Sequence, residues 1–199
     1  MNLRCRYTVA IAAFFLLTAV YSCKGVGDGK KDSDRPAALP DEQNALPAAI
    51  FKGGSTYQNK AEGWQKFRLP DSTDVLLHDK SLLHLPVDFN KNDRQLQLDG
   101  EAVFIVSEDS DKPFIIHTHD LHILVMGTRF KVDAHAANAG EEVDLLSGRL
   151  KVMKSYHSST DNEPETLQSG DMVMINRDID LMEKEKMDST ELKNLQKLF

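Results

Sequence analysis

Four glycines punctuate the second half of this chain, each opening a run of alternating apolar residues, and at Gly127 and Gly148 the apolar phase shifts by one residue. Gly100 interrupts Leu96-Gln-Leu98-Asp and opens Glu101-Ala102-Val-Phe104-Ile-Val106; Gly127 precedes Thr128-Arg-Phe130-Lys-Val132; Gly148 precedes Arg-Leu150-Lys-Val152; Gly170 precedes Asp-Met-Val173-Met-Ile175. Their spacings are 27, 21 and 22 residues. Period-two alternation specifies strands with one buried face, and a one-residue phase change beside a glycine is what a bulge or a corner between stacked strands produces. The pattern predicts an all-β fold: a single β-solenoid-like, double-layered domain of stacked short strands, presenting a surface for binding rather than a pocket for chemistry.

The same reading applies inside the longest run. Leu96, Leu98, Ala102, Phe104 and Val106 share one face, while Gln95, Gln97, Asp99 and Glu101 face water; Val103 and Ile105 imply burial on both sides further along. Leu69-Pro70-Asp71-Ser72-Thr73 reads as a strand end entering a turn, with Pro fixing φ and Asp bonding its own backbone. Beyond the last β-run the period changes. Asp188 and Glu191 have capping-box spacing, and Leu192, Leu195 and Leu198 recur at helical intervals, so residues 187–199 are expected to form a short amphipathic helix covering an open end of the β-domain.

The amino-terminal residues belong to targeting. Arg4 and Arg6 precede an uncharged, mostly apolar run from Tyr7 to Tyr21. As a helix that run spans about 22 Å, short of the roughly 30 Å of bilayer hydrocarbon. It is therefore read as the core of a signal peptide, residues 1–22. Its end, Val20-Tyr21-Ser22-Cys23, resembles a bacterial lipobox, with cleavage between Ser22 and Cys23 and lipidation on the Cys23 sulfur. Residues 23–49 carry Gly25, Gly27, Gly29 and prolines 36, 40 and 47 with few large apolar residues, the composition of a disordered tether. The β-domain is assigned to residues 50–186. The chain is expected to be lipid-anchored in a bacterial cell envelope and to face the periplasm.

Composition removes several classes of function. Against 24 basic residues stand 31 acidic ones, and no basic stripe is present for nucleic acid. No serine-nucleophile elbow, phosphate loop or His-Glu-x-x-His motif occurs, so no enzyme, cofactor or small-molecule substrate is expected. Glu101 reads as a solvated or ion-paired carboxylate, because no motif places a second acid or base beside it. His117-Thr-His119-Asp-Leu-His122 offers one alternative: if Asp120-Leu121 were the tip of a tight hairpin, three imidazoles would meet on one face as a metal site. Otherwise they are three solvated histidines.

The ordered series of motifs resembles the FecR family. The carrying segments are Leu69-Pro70-Asp71, Gly100-Glu101-Ala102 with Phe104, Gly127-Thr128 with Phe130, Gly148 before Leu150 and Val152, and Gly170. Ser72 stands where the family usually has glycine. The resemblance implies a periplasmic β-domain in a relay linking a TonB-dependent receptor to an alternative sigma factor. Only six residues precede the apolar run and 29 follow Gly170, so the cytoplasmic anti-sigma segment and second periplasmic domain common in such regulators are not expected here. The leading expectation is an envelope module that binds a TonB-dependent transducer or a membrane anti-sigma protein. The alternatives are an envelope scaffold lipoprotein without a signalling role, and a metal-binding lipoprotein using His117, His119 and His122.

Overall fold

The computed structural model of the chain describes residues 53–199. The signal segment, the Ser22 and Cys23 positions, the tether and residues 50–52 lie outside the described residues. Among the described residues no helix is long and apolar enough to cross a membrane.

The described residues open with four short strands, β1 (Ser55–Gln58), β2 (Gln65–Arg68), β3 (Asp74–Leu77) and β4 (Leu82–Leu85), which pair around or beside the 12-residue β5 (Arg94–Ile105). Four hairpins follow. They are β6 (Phe114–His117) with β7 (Leu121–Val125), β8 (Arg129–Ala134) with β9 (Gly140–Ser147), β10 (Arg149–Lys154) with β11 (Glu165–Gln168), and β12 (Asp171–Asn176) with β13 (Leu181–Lys186). Helix α1 (Ser189–Gln196) ends the fold.

The strands make two layers that share β5. Layer A contains β1, β4, β6, β7, β10 and β11 with the first half of β5, and layer B contains β2, β3, β8, β9, β12 and β13 with its second half. Successive hairpins alternate between the layers, and each lays its first strand against an earlier one: β8 on β5, β10 on β7, β12 on β9. Every pairing is antiparallel except β5 with β6. The expected double-layered domain is thus what the chain forms.

All four repeat glycines are the points at which the chain crosses between layers. Gly100 sits where β5 leaves β4 and β6 for β3 and β8; Gly127 joins β7 to β8, Gly148 joins β9 to β10, and Gly170 joins β11 to β12. Each has a left-handed backbone, with φ of 114°, 131°, 100° and 85°. At Gly100 space is also decisive, because a Cβ would lie 2.3 Å from Ser81 Oγ and 2.7 Å from its Cα.

Alternation delivers one face of each layer to a single core. Leu83, Leu96, Leu98, Phe114, Ile116, Ile123 and Leu150 of layer A meet Val75, Leu77, Phe104, Phe130, Val143 and Val173 of layer B. Phe104 stacks on Phe130 at 5.2 Å and meets Phe114 edge-on at 6.1 Å, bridging the layers. Val103, on the opposite face of β5, is also fully buried, as the double-sided apolar run there requires.

The carboxyl-terminal helix is capped as its sequence predicts. Asp188 accepts from the Thr190 and Glu191 amides, and Glu191 accepts from the Asp188 amide. Its position differs from the expectation of an end cover. It packs beside β9, where Leu195 is buried and Leu198 half-buried, so it lies over the outer face of layer B. The leucines line one cleft with Trp64 and Met172 and with the charged residues of that face.

Candidate functional site

The first family motif does structural work. Asp71 accepts from the Thr73 amide and hydroxyl, and its Oδ2 lies 3.2 Å from Arg94 Nη1. Arg94 is 1% exposed and also donates to the carbonyls of Lys112, Ser107 and Asp109. The pair staples the opening turn to the start of β5 and the loop after it; a buried guanidinium is tolerated only when its donors are this fully used. Leu69 is buried and Pro70 exposed. Ser72 has φ of +70°, which explains why glycine suits this turn. Thr128 is buried beside Gly148, and its hydroxyl is the one buried side-chain polar atom without a hydrogen-bond partner among the described residues.

The histidine arrangement needs correction. The β6–β7 turn has its tip at His119-Asp120, because the Thr118 amide donates to the Leu121 carbonyl and His117 pairs with His122. A shift of one residue moves side chains to the opposite face. His117 and His122 therefore meet, with Nδ1 atoms 2.8 Å apart, while His119 sits at the tip with its Nε2 3.0 Å from Arg177 Nη1. Among the described residues no three His, Cys, Asp or Glu side chains are grouped to hold a metal ion. His117 Nε2 faces Gln95 Oε1 at 3.1 Å; burial, then the His122 charge, lowers the His117 pKa to about 3.

The same tip reaches a carboxylate that the sequence did not advertise. Glu141 in β9 points inward and is 5% exposed; it accepts from the Thr118 hydroxyl and from the Asp120 amide at 3.0 Å. Burial pushes its pKa up to about 7 against the lowering effect of those donors. Asp120, also buried, is paired with Arg177 at 2.8 Å.

Among the described residues, the outer face of layer B carries an arrangement with the character of a recognition surface. Of the six exposed large apolar side chains among the described residues, Met174, Ile179 and Leu181 line one cleft of about 450 Å³. A second, of about 470 Å³, is walled by Trp64 and α1, and Glu142 lines both. Register explains the floor. Glu183, Met174, Glu142, Asp133 and Glu101 face one another across β13, β12, β9, β8 and β5.

That rank is electrostatically undersupplied with cations. Lys131 stands 3.3 Å from Asp144, 3.5 Å from Glu101 and 3.7 Å from Glu142, so Glu101 is ion-paired rather than solvated. Burial lowers the Lys131 pKa, but those three carboxylates outweigh it and hold it above the usual value. Glu142 is raised to about 7, by burial first and then by Asp144. His78 lies 3.4 Å from Glu101, and His135 lies 2.7 Å from Asp133.

Comparison with known proteins accords with this layout. The model of the FecR protein family matches residues 55–151, from β1 into β10. No curated protein sequence matches the chain closely. Two crystal structures of a "putative anti-sigma factor" from Parabacteroides distasonis ATCC 8503, at 2.50 and 1.65 Å, share its fold with a TM-score of 0.61 and 23% identity. The likeness covers 70% of this chain and 62% and 63% of those chains, so this chain spans less than two thirds of their length. The layer-crossing Gly100, Gly127 and Gly148, together with the stapled Asp71 turn, fall inside residues 55–151, the stretch that matches the model of the FecR protein family.

Proposed function

We propose that this chain is a protein-binding module in a bacterial envelope signalling relay of the sigma/anti-sigma type, anchored to a membrane through Cys23 and facing the periplasm. The FecR match over residues 55–151 carries the reading. The exposed apolar cleft on layer B supports it, since large apolar side chains concentrated on one surface favour association. The name given to the similar Parabacteroides distasonis protein points the same way. The role is recognition rather than catalysis, with a TonB-dependent transducer or a membrane anti-sigma protein as the partner.

Crosslinking the tagged full-length protein in cells at native expression, followed by mass spectrometry, tests this. Recovery of a TonB-dependent transducer or a membrane anti-sigma protein is the expected result. Recovery of neither overturns the signalling reading. A Cys23→Ser variant is expected to leave the membrane fraction, and its retention there overturns the lipid anchor.

A further inference from the structure

We infer that the groove on the outer face of layer B takes an extended, basic segment of a partner protein, lying across the strands with its apolar side chains on Met174, Ile179 and Leu181. The inference rests on the protein-binding reading above and names the chemistry of the partner.

Three observations converge. The cleft is apolar where it is open: Met174, Ile179 and Leu181 are 38%, 66% and 47% exposed. Its floor is a rank of carboxylates set directly opposite one another, Glu142 against Asp133 and Asp133 against Glu101, with Glu183 beyond Met174. Like charges in facing positions destabilise a sheet, so the isolated domain bears a cost that a cationic partner relieves. The groups facing the rank are accounted for: Lys131 is divided among Glu101, Glu142 and Asp144, His78 lies beside Glu101 and Asp79, and His135 pairs with Asp133. None of Lys131, His78 and His135 lies within ion-pair distance of Glu183, at the cleft's apolar end.

The dimensions select an extended occupant. Four inter-strand steps from β13 to β5 cover about 19 Å. A strand-like segment repeats its side-chain direction about every 6.7 Å, so three residues on one face span most of the rank while their neighbours rest on the apolar rim. Partner basic residues are selected over acidic ones by several like-charge contacts at once.

The test uses the detergent-solubilised full-length protein and, as probe, a fluorescent, end-blocked ten-residue peptide of alternating Lys and Val, with an alternating Glu and Val peptide as control. Binding is read by anisotropy. The basic peptide is expected to bind, the acidic one not, and Asp133→Asn/Glu142→Gln is expected to weaken binding at least tenfold. The charge-matched pair Asp88→Asn/Asp111→Asn, on exposed loop positions, is expected to leave it unchanged. Equal losses in the two double variants mean attraction to net charge alone and overturn the inference, as does failure of the basic peptide to bind. A photocrosslinking residue at Met174 or at Gln97, on the outer face of layer A, separates the two levels of the argument in cells. Partner capture at 174 and not at 97 supports the groove. Capture only at 97 sinks the groove but keeps a protein-binding module, and capture at neither removes both.

Discussion

Replacing Glu141 by Gln removes an ionisable group from the interior end of β9 while preserving its contacts. The amide oxygen accepts from the Asp120 amide in place of Oε1, and the amide nitrogen donates to the Thr118 hydroxyl, which turns its own proton to the Leu121 carbonyl 3.1 Å away. Folding raises the Glu141 pKa from 4.5 to about 7. The folded state thus binds the proton more tightly than the unfolded chain, so wild-type stability falls as pH rises from about 4.5 through about 7 and is level beyond. At about 1.4 kcal/mol per unit, the full cost is roughly 3 kcal/mol at pH 8 and vanishes below pH ~4.5. Glu141→Gln is therefore expected to be more stable than wild type by roughly 3 kcal/mol at pH 8 and equal to it at pH 4. Urea titrations followed by the fluorescence of the single tryptophan, Trp64, measure the difference at each pH. A gain of the same size at both ends of the range, or a loss at pH 8, rules out a proton-linked cost at Glu141.

Four further substitutions probe the frame. Gly100→Ala meets the Ser81 backbone and a left-handed φ, and should cost about 3 kcal/mol or more in urea unfolding, whereas Gly170→Ala, with open space around it, should cost about 1–2 kcal/mol. Arg94→Met strands the buried Asp71 carboxylate and three carbonyls, and should lose about 3–5 kcal/mol; a loss under 1 kcal/mol rejects the staple. Thr128→Val removes an unpartnered buried hydroxyl at similar shape, and should gain about 1 kcal/mol, read as a higher Tm by calorimetry.

The features legible in the sequence are those whose cause is local. A phase change at Gly127 or Gly148 is written in adjacent residues, and so is the Asp188–Glu191 cap; both appear in the structure as corners and a helix start. The Asp71–Arg94 staple joins two recognisable motifs whose contact depends on how the intervening strands pair. The histidines failed by a single residue: the turn tip is His119-Asp120 because Thr118 bonds Leu121 through both its amide and its hydroxyl, something no dipeptide preference announces. The layer B groove was invisible for a more general reason. Each of Glu183, Glu142, Asp133 and Glu101 is an unremarkable outward residue in its own strand, and only register sets them side by side.

The alternation of hairpins also fixes an order of construction. From β6 onward every strand pairs with at least one strand that precedes it in the chain: β6 with β5, β8 with β5, β10 with β7, β12 with β9. A polypeptide emerging amino end first therefore presents each new hairpin to an edge already in place, and the interval between making an edge and covering it is about one hairpin. Exposed edges recruit other chains, and long-range pairing is slow. A roll that grows by turns, first on one side and then on the other, keeps its unfinished rim short and gives a crowded compartment little to seize.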